Sequence, residues 1–128
     1  MVARDHNEGF LGCKMGRFRW VSTPLDVELL ALREGLSFPA KWPGLRICLE
    51  SDAQGMINSV LNRGVDLSPL GCLIEDCKVL LRAAGLVCVQ HAFREVNGVA
   101  DGLAHYALSS HAPDAEIEWW DCPPYLVL

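Results

Sequence analysis

The order of apolar and polar segments in this 128-residue chain predicts an α/β fold, a three-layer sandwich with helices on both faces of a mixed sheet. Turn residues break the first apolar stretches as they do in a hairpin, and short apolar runs alternate with helical patterns in the second half. The hydrophobic content of 51% suits one core at this length. The predicted order is two strands, a helix, a strand, two helices, a strand and a helix.

The first half of the chain begins with the predicted hairpin. Residues 2–4 and 10–21 form its strands around a polar turn. Pro24 then predicts the first turn of a helix, with Ser22 or Thr23 as its cap. Apolar residues recur at helical spacing until the helix ends near Pro39; they are Leu25, Leu29, Leu32 and Leu36.

The second half alternates strands with helices. Residues 45–49 form a short apolar run that is typical of a strand covered on both faces. Ser51 and Gln54 have the spacing of a capping box, which predicts a second helix from there to about residue 63. A third helix is expected at 69–84, a strand at 86–89 and a last helix at 97–109. We therefore expect one domain at 1–111 and an irregular tail at 112–128, which lacks periodicity and contains three prolines.

The net charge of −5 argues against simple electrostatic attraction to nucleic acid. The best candidates for contacts with phosphates are three basic residues that are interleaved with Phe18 and Trp20; they are Lys14, Arg17 and Arg19. The alternative is a solvated edge strand with alternating charge. Both interpretations remain open at this point.

The six cysteines predict reduced thiols rather than disulfides. No two have the Cys-x-x-Cys spacing, and Cys48 and Cys88 lie within apolar runs, so we expect buried thiols in an intracellular protein, nuclear or cytoplasmic. No disulfide-linked partner is expected. The first residues are charged and no run approaches the roughly 20 apolar residues of a membrane span, so neither a signal peptide nor a membrane partner is predicted.

Three carboxylates arrive in three different kinds of segment, and together they suggest a divalent metal site that cuts phosphodiesters. Glu28 lies on the apolar side of its helix, where a carboxylate needs a cation or its pKa rises. Asp52 follows a strand, and Asp101 lies near the start of the last helix. Each has a plainer alternative, because Glu28 could extend its carboxylate to solvent and Asp52 could stabilise a helix start.

Two further polar residues precede Asp101 in the sequence. Asn97 lies one helical turn earlier and is equally well explained as a helix cap. His91 ends a predicted strand and has a side chain suited to proton transfer near neutral pH. A lone histidine is more often structural, and only its spacing of ten residues from Asp101 favours a functional role.

Several separated motifs resemble a ribonuclease H type 1 domain of the plant branch derived from retrotransposon reverse transcriptases. They are residues 4–7 (RDHN), 28–36 (ELLALREGL), 50–52 (ESD), 66–70 (DLSPL) and 91–103 (HAFREVNGVADGL). The resemblance implies that Glu28, Asp52 and Asp101 are catalytic metal ligands for two Mg²⁺ or Mn²⁺ ions. It also implies that His91 assists product release, that Asn97 contacts nucleic acid, and that the substrate is the RNA strand of an RNA–DNA hybrid, recognised through its 2′-hydroxyls.

The front of the chain departs from the family pattern. Residue 1 corresponds to a position inside the family's second strand, so we expect the first, central strand and its catalytic aspartate to be absent. Asp5 is no substitute, because it lies in the hairpin turn. Impaired hydrolysis is therefore expected. The alternatives are a catalytically silent nucleic-acid-binding module of the same fold, or a protein-interaction domain that uses Trp119 and Trp120.

Overall fold

A computed structural model describes residues 1–7, 9–109 and 117–120. Over these residues the elements are β1 (Val2–Arg4), β2 (Phe10–Met15), α1 (Pro24–Gly35), a 3₁₀ helix (Phe38–Lys41), β3 (Ile47–Ser51), α2 (Gln54–Leu61), α3 (Gly71–Ala84), β4 (Val87–His91), α4 (Gly98–Ser109) and β5 (Ile117–Trp120). Parallel and antiparallel strand pairs combined with helices confirm the predicted α/β class. Among the residues described, no helix is long and apolar enough to cross a membrane.

The chain forms two compact units. The terminal unit contains residues 1–20 together with the chain from residue 94 onwards, and the central unit contains residues 21–93. The strands also divide into two sheets rather than the one mixed sheet expected, with the order β1-β2-β5 in the first and β3-β4 in the second.

The terminal unit is an antiparallel sheet with one helix. β2 pairs with β1 on one side and with β5 on the other, and α4 packs on β2. The side chains buried between them are Cys13, Met15, Leu103 and Ala107. The hairpin turn is held by Asp5, whose carboxylate accepts the backbone amides of Asn7 and Gly9.

Two expectations about this sheet were wrong. β2 ends at Met15 instead of continuing to residue 21, so residues 16–20 lie outside the strand. The tail, expected to be irregular, contains the strand Ile117–Trp120, which pairs with β2 from Gly12 to Met15. The tail is rich in residues that favour turns, and a strand of four residues is too short to show the alternating pattern by which strands are predicted. The rest of the tail lies outside the described residues.

The central unit packs its helices on a two-stranded parallel sheet. β3 and β4 pair in register from Ile47 opposite Val87 to Ser51 opposite His91. A single cluster of apolar side chains lies between this sheet and the helices; its buried members are Leu29, Leu32, Leu36, Met56, Ile57, Val60, Ile74, Cys77 and Val89. The leucine stripe predicted for α1 supplies three of these nine residues.

The start of α1 agrees with the sequence prediction and the start of α2 does not. Thr23 caps α1, accepting the Asp26 amide while the Asp26 carboxylate accepts the Thr23 amide. The expected cap Ser51 is instead the last residue of β3, because its carbonyl accepts the Ala92 amide in continuation of the strand pairing. α2 therefore starts at Gln54, and Ala53 at its cap position provides no side-chain hydrogen bond.

The prediction that Cys48 and Cys88 are buried was also wrong. Successive side chains of a strand point to opposite faces. Ile47 and Leu49 face the helices, whereas Cys48 and Glu50 are exposed on the other face. β4 repeats the pattern, and Cys88 is exposed directly opposite Cys48. The apolar runs suggested strands covered on both faces, but within the central unit helices cover only one.

Candidate functional site

Two of the three predicted carboxylates lie together in the central unit. Glu28 projects from α1 and is half-buried, and Asp52 follows the last residue of β3. Desolvation by burial raises the pKa of Glu28 above its ordinary value, and the negative charge of Asp52 raises it further. Helix α1 thus places the Glu28 carboxylate near the end of β3, which Asp52 follows.

Ser51 connects these two carboxylates to the backbone. Its hydroxyl donates a hydrogen bond to the Glu28 carboxylate, which lowers the pKa of Glu28 and offsets part of the rise. The same hydroxyl oxygen accepts the amide of Ala53 at a distance of 3.1 Å. The sequence had assigned Ser51 only to capping, and its place between Glu50 and Asp52 gave no signal for a contact with α1.

The Glu28–Asp52 pair has the chemistry that a divalent cation requires. Both side chains are carboxylates, and the charge of Asp52 disfavours the ionisation of Glu28, an effect that a cation between them would reverse. One or two carboxylates, completed by water and phosphate oxygens, suffice for Mg²⁺. Within residues 1–7, 9–109 and 117–120, however, no group of three or more His, Cys, Asp and Glu side chains is placed to hold a metal ion.

Asp101 lies on α4 in the terminal unit, so its convergence with Glu28 and Asp52 stays a prediction. Its Oδ1 lies 3.4 Å from Nη2 of Arg94, and its Oδ2 lies 3.6 Å from Nδ1 of His105. Its backbone amide donates to the carbonyl of Asn97, which places Asn97 at the helix start. Arg94 was not predicted as a partner, although a basic residue seven positions before a predicted metal ligand is a signal for such a contact.

His91 is exposed at the end of β4 in the central unit. It lies opposite Ser51 in the strand register, so β3 and β4 deliver Asp52 and His91 to the same edge of their sheet. Its ring packs edge-on against Phe93 with the ring centroids 5.4 Å apart. This contact limits the orientation of the imidazole and leaves it open to solvent.

The three basic candidates do not form one strand face. Lys14 lies on β2 with its side chain only 12% exposed, and its Nζ is 3.9 Å from Oε1 of Glu118 on β5. Arg17 and Arg19 follow the strand and are exposed. Between and beside them lie Phe18 and Trp20, and Trp20 is 96% exposed with a positive φ of 63°. Arg17 and Arg19 thus lie exposed at the surface, while Lys14 is engaged within the sheet.

Comparison with known proteins gives the family. The model of a family described as reverse transcriptase-like matches residues 1–107. A relative from Arabidopsis thaliana, described as a "Putative ribonuclease H protein", is 35% identical over 84 residues. The match covers 66% of this chain and 14% of the relative, so it spans a small part of that protein. No solved structure matches. The chain belongs to the reverse transcriptase-like family and carries a ribonuclease H-like domain.

Proposed function

We propose that this domain binds RNA–DNA hybrid and is built to hydrolyse its RNA strand, with Glu28, Asp52 and Asp101 as metal ligands. The observation that carries the proposal is the Glu28–Asp52 pair. In the folded chain, burial and the charge of Asp52 raise the pKa of the Glu28 carboxylate. Perturbed carboxylates of this kind concentrate at functional sites. The proposed reaction rests on membership of the family. The nucleus or the cytoplasm is the proposed location.

Each residue of the proposed site has a task that follows from its position. Glu28 and Asp52 hold a divalent cation, and Ser51 fixes the orientation of the Glu28 carboxylate. Mg²⁺ or Mn²⁺, when bound, supplies Lewis-acid activation of water and charge stabilisation for the leaving oxygen. His91, exposed at the end of β4, exchanges a proton with solvent or with the departing product.

The terminal unit contributes the remaining proposed contacts. Asp101, which now pairs with Arg94, would be the third residue to hold the cation. Asn97 offers an amide to sugar or base edges, and Arg17 and Arg19 contact phosphates. Lys14 is retained as a weaker candidate, because the Glu118 carboxylate already offsets its charge.

The proposed activity requires a fourth acidic ligand that residues 1–4 do not contain. We propose that a polypeptide of these 128 residues alone cleaves hybrid poorly, since it offers three carboxylates for two ions. The three can still hold one ion, because Mg²⁺ needs only one or two of them. Binding of hybrid and hydrolysis of hybrid are therefore separable in this polypeptide.

The test compares this polypeptide with a version extended upstream by a strand that carries an aspartate. We expect Mg²⁺-dependent cleavage of the RNA strand to be higher in the extended protein. Asp52→Asn in the extended protein should reduce cleavage by more than about 100-fold, since altering even the residues that support metal ligands typically costs 10–100-fold. Asp76→Asn, on α3 and outside the proposed site, is the matched control and should retain full activity.

Two results would contradict the proposal. Equal cleavage by the short and extended proteins would show that the fourth ligand is not needed. Full activity of Asp52→Asn, with its circular dichroism spectrum unchanged, would remove Asp52 from the site. Both assays use a hybrid with a labelled RNA strand, and an all-DNA duplex of the same sequence serves as the negative control.

A second candidate is a catalytically silent module that binds nucleic acid. It is favoured by the ion pair of Asp101 with Arg94, which offsets the charge of that carboxylate without a metal ion. This candidate predicts that hybrid binding persists in a chelator and that the extended protein does not cleave. The comparison of short and extended proteins therefore separates the two candidates.

A further inference from the structure

Two exposed cysteines face each other across the parallel pair β3–β4 in the central unit. We propose that Cys48 and Cys88 form a redox-sensitive dithiol, which closes to a disulfide on reaction with a small-molecule disulfide such as oxidised glutathione. Neither residue belongs to the candidate site, so this inference does not rest on the proposed function.

The strand register brings the two α-carbons within the range of a disulfide. Cys48 pairs with Cys88 directly, and both side chains leave the sheet on the face opposite Ile47, Leu49 and Val89. Neighbouring strands lie about 4.8 Å apart, and the α-carbons of a disulfide lie roughly 4.4–6.8 Å apart. The two thiols are also accessible, since both cysteines are exposed.

The two thiols interact in the reduced protein. Desolvation, followed by the hydrogen bond and charge of the Cys88 thiol, raises the pKa of Cys48 to about 12, and the Glu50 carboxylate adds to the rise. Since the thiolate is the nucleophile and the thiolate of Cys48 is disfavoured, we place the first attack at Cys88.

The exchange has two steps. The Cys88 thiolate attacks one sulfur of the small disulfide, forms a mixed disulfide and releases the first small thiolate, which takes up the proton that Cys88 has lost. Cys48 then loses its proton and attacks the Cys88 sulfur, which releases the second small thiol. The protein loses two electrons and two protons, and the small disulfide gains both.

The expected disulfide is strained and easily reduced. Side chains on the same face of neighbouring parallel strands leave the strands nearly side by side, so their β-carbons are about 4.8 Å apart, whereas those of a relaxed disulfide are about 3.8 Å apart. Strained and exposed disulfides are the labile ones. Closure is therefore reversible by an excess of reduced glutathione, and it ties together the two strands that end beside Asp52 and at His91.

Cys72 provides an internal control. It is exposed on α3, while Cys13 and Cys77 are buried. Cys122 lies outside the described residues and is removed by Cys122→Ser, so that five cysteines remain. The folded protein is treated with oxidised glutathione at the concentration that modifies Cys72, and intact mass and peptide mapping locate each product.

We expect Cys48 and Cys88 to be linked to each other, with a loss of two hydrogen atoms, while Cys72 carries glutathione. Cys48→Ser should leave glutathione on Cys88, because the second step is removed. Urea-unfolded protein should lose the preference for this pair. The proposal is overturned if Cys48 and Cys88 carry separate glutathione molecules, or if both stay unmodified while Cys72 reacts.

Discussion

The ionisation of Glu28 lowers the stability of the folded central unit. A carboxyl group whose pKa is raised by folding binds its proton more tightly in the folded chain, so stability falls as pH rises from the unfolded value of 4.5 through the folded value. Glu28→Gln should therefore raise the melting temperature of the metal-free protein at pH 7. The gain should shrink as pH falls and vanish well below pH 4.5, where Glu28 is protonated in both states.

Asp26 on the same helix is the control with the opposite sign. Hydrogen bonds from the Thr23 and Ser22 amides lower the pKa of Asp26, so its contribution to stability is present at neutral pH and is lost as pH falls through the lowered value. Asp26→Asn should lower the melting temperature at pH 7. A melting temperature of Glu28→Gln below that of the unaltered protein at pH 7 would show that the Glu28–Asp52 repulsion is absent.

The residue scale also shows what the sequence could predict of the site. Helical spacing alone placed Glu28 beside Leu25 and Leu32, and its half-buried side chain agrees with that placement. The partners of these groups were not predictable in the same way. Ser51 reaches Glu28 across two elements, and such a contact leaves no periodic signal in either segment.

At the scale of elements, the loop between α2 and α3 is fastened by a buried lysine. Nζ of Lys78, a residue that is 5% exposed, donates to the Glu75 carboxylate at 2.8 Å and to the Gly64 carbonyl at 2.7 Å. The Glu75 carboxylate also accepts the amide of Asp66 in the same loop. Two paired side chains of α3 thus hold the segment, with Lys78 bound to Gly64 and Glu75 bound to Asp66.

Removal of that amine should destabilise the chain measurably. Lys78→Met keeps the aliphatic stem but leaves the Gly64 carbonyl without this donor, and we expect a loss of about 1–3 kcal/mol in the free energy of unfolding, measured by urea denaturation. Arg82→Met, one helical turn later and exposed, is the control and should change the free energy by less than about 0.5 kcal/mol. Equal effects of the two variants would refute the anchoring role of Lys78.

Element boundaries were predictable where a local rule decided them. Pro24 and Thr23 fixed the start of α1, because a cap and a proline act within one turn. Ser51 misled the assignment of α2, since the capping motif competed with the pairing of Ser51 opposite His91 in a parallel sheet. β5 was missed because its pairing with β2 connects residues about a hundred positions apart.

At the scale of the whole molecule, the family and the fold class followed from motifs spread along the chain, and both are confirmed. The division into a terminal and a central unit did not follow from them. Local patterns specify helices and strands, but the grouping of strands depends on pairings between distant segments. The proposed ligand set is split accordingly, with Glu28 and Asp52 in the central unit and Asp101 in the terminal unit.

The central claim is the proposed metal ligand set of Glu28, Asp52 and Asp101, and Mn²⁺ titration observed by nuclear magnetic resonance tests it most directly. The paramagnetic ion broadens the signals of nearby amides. We predict that substoichiometric Mn²⁺ broadens the amides of Glu28, Asp52 and Asp101 together, and that Asp52→Asn removes all three effects. Broadening confined to Glu28 and Asp52, with Asp101 unaffected at saturation, would contradict a shared site, and the absence of selective broadening would contradict a metal site altogether.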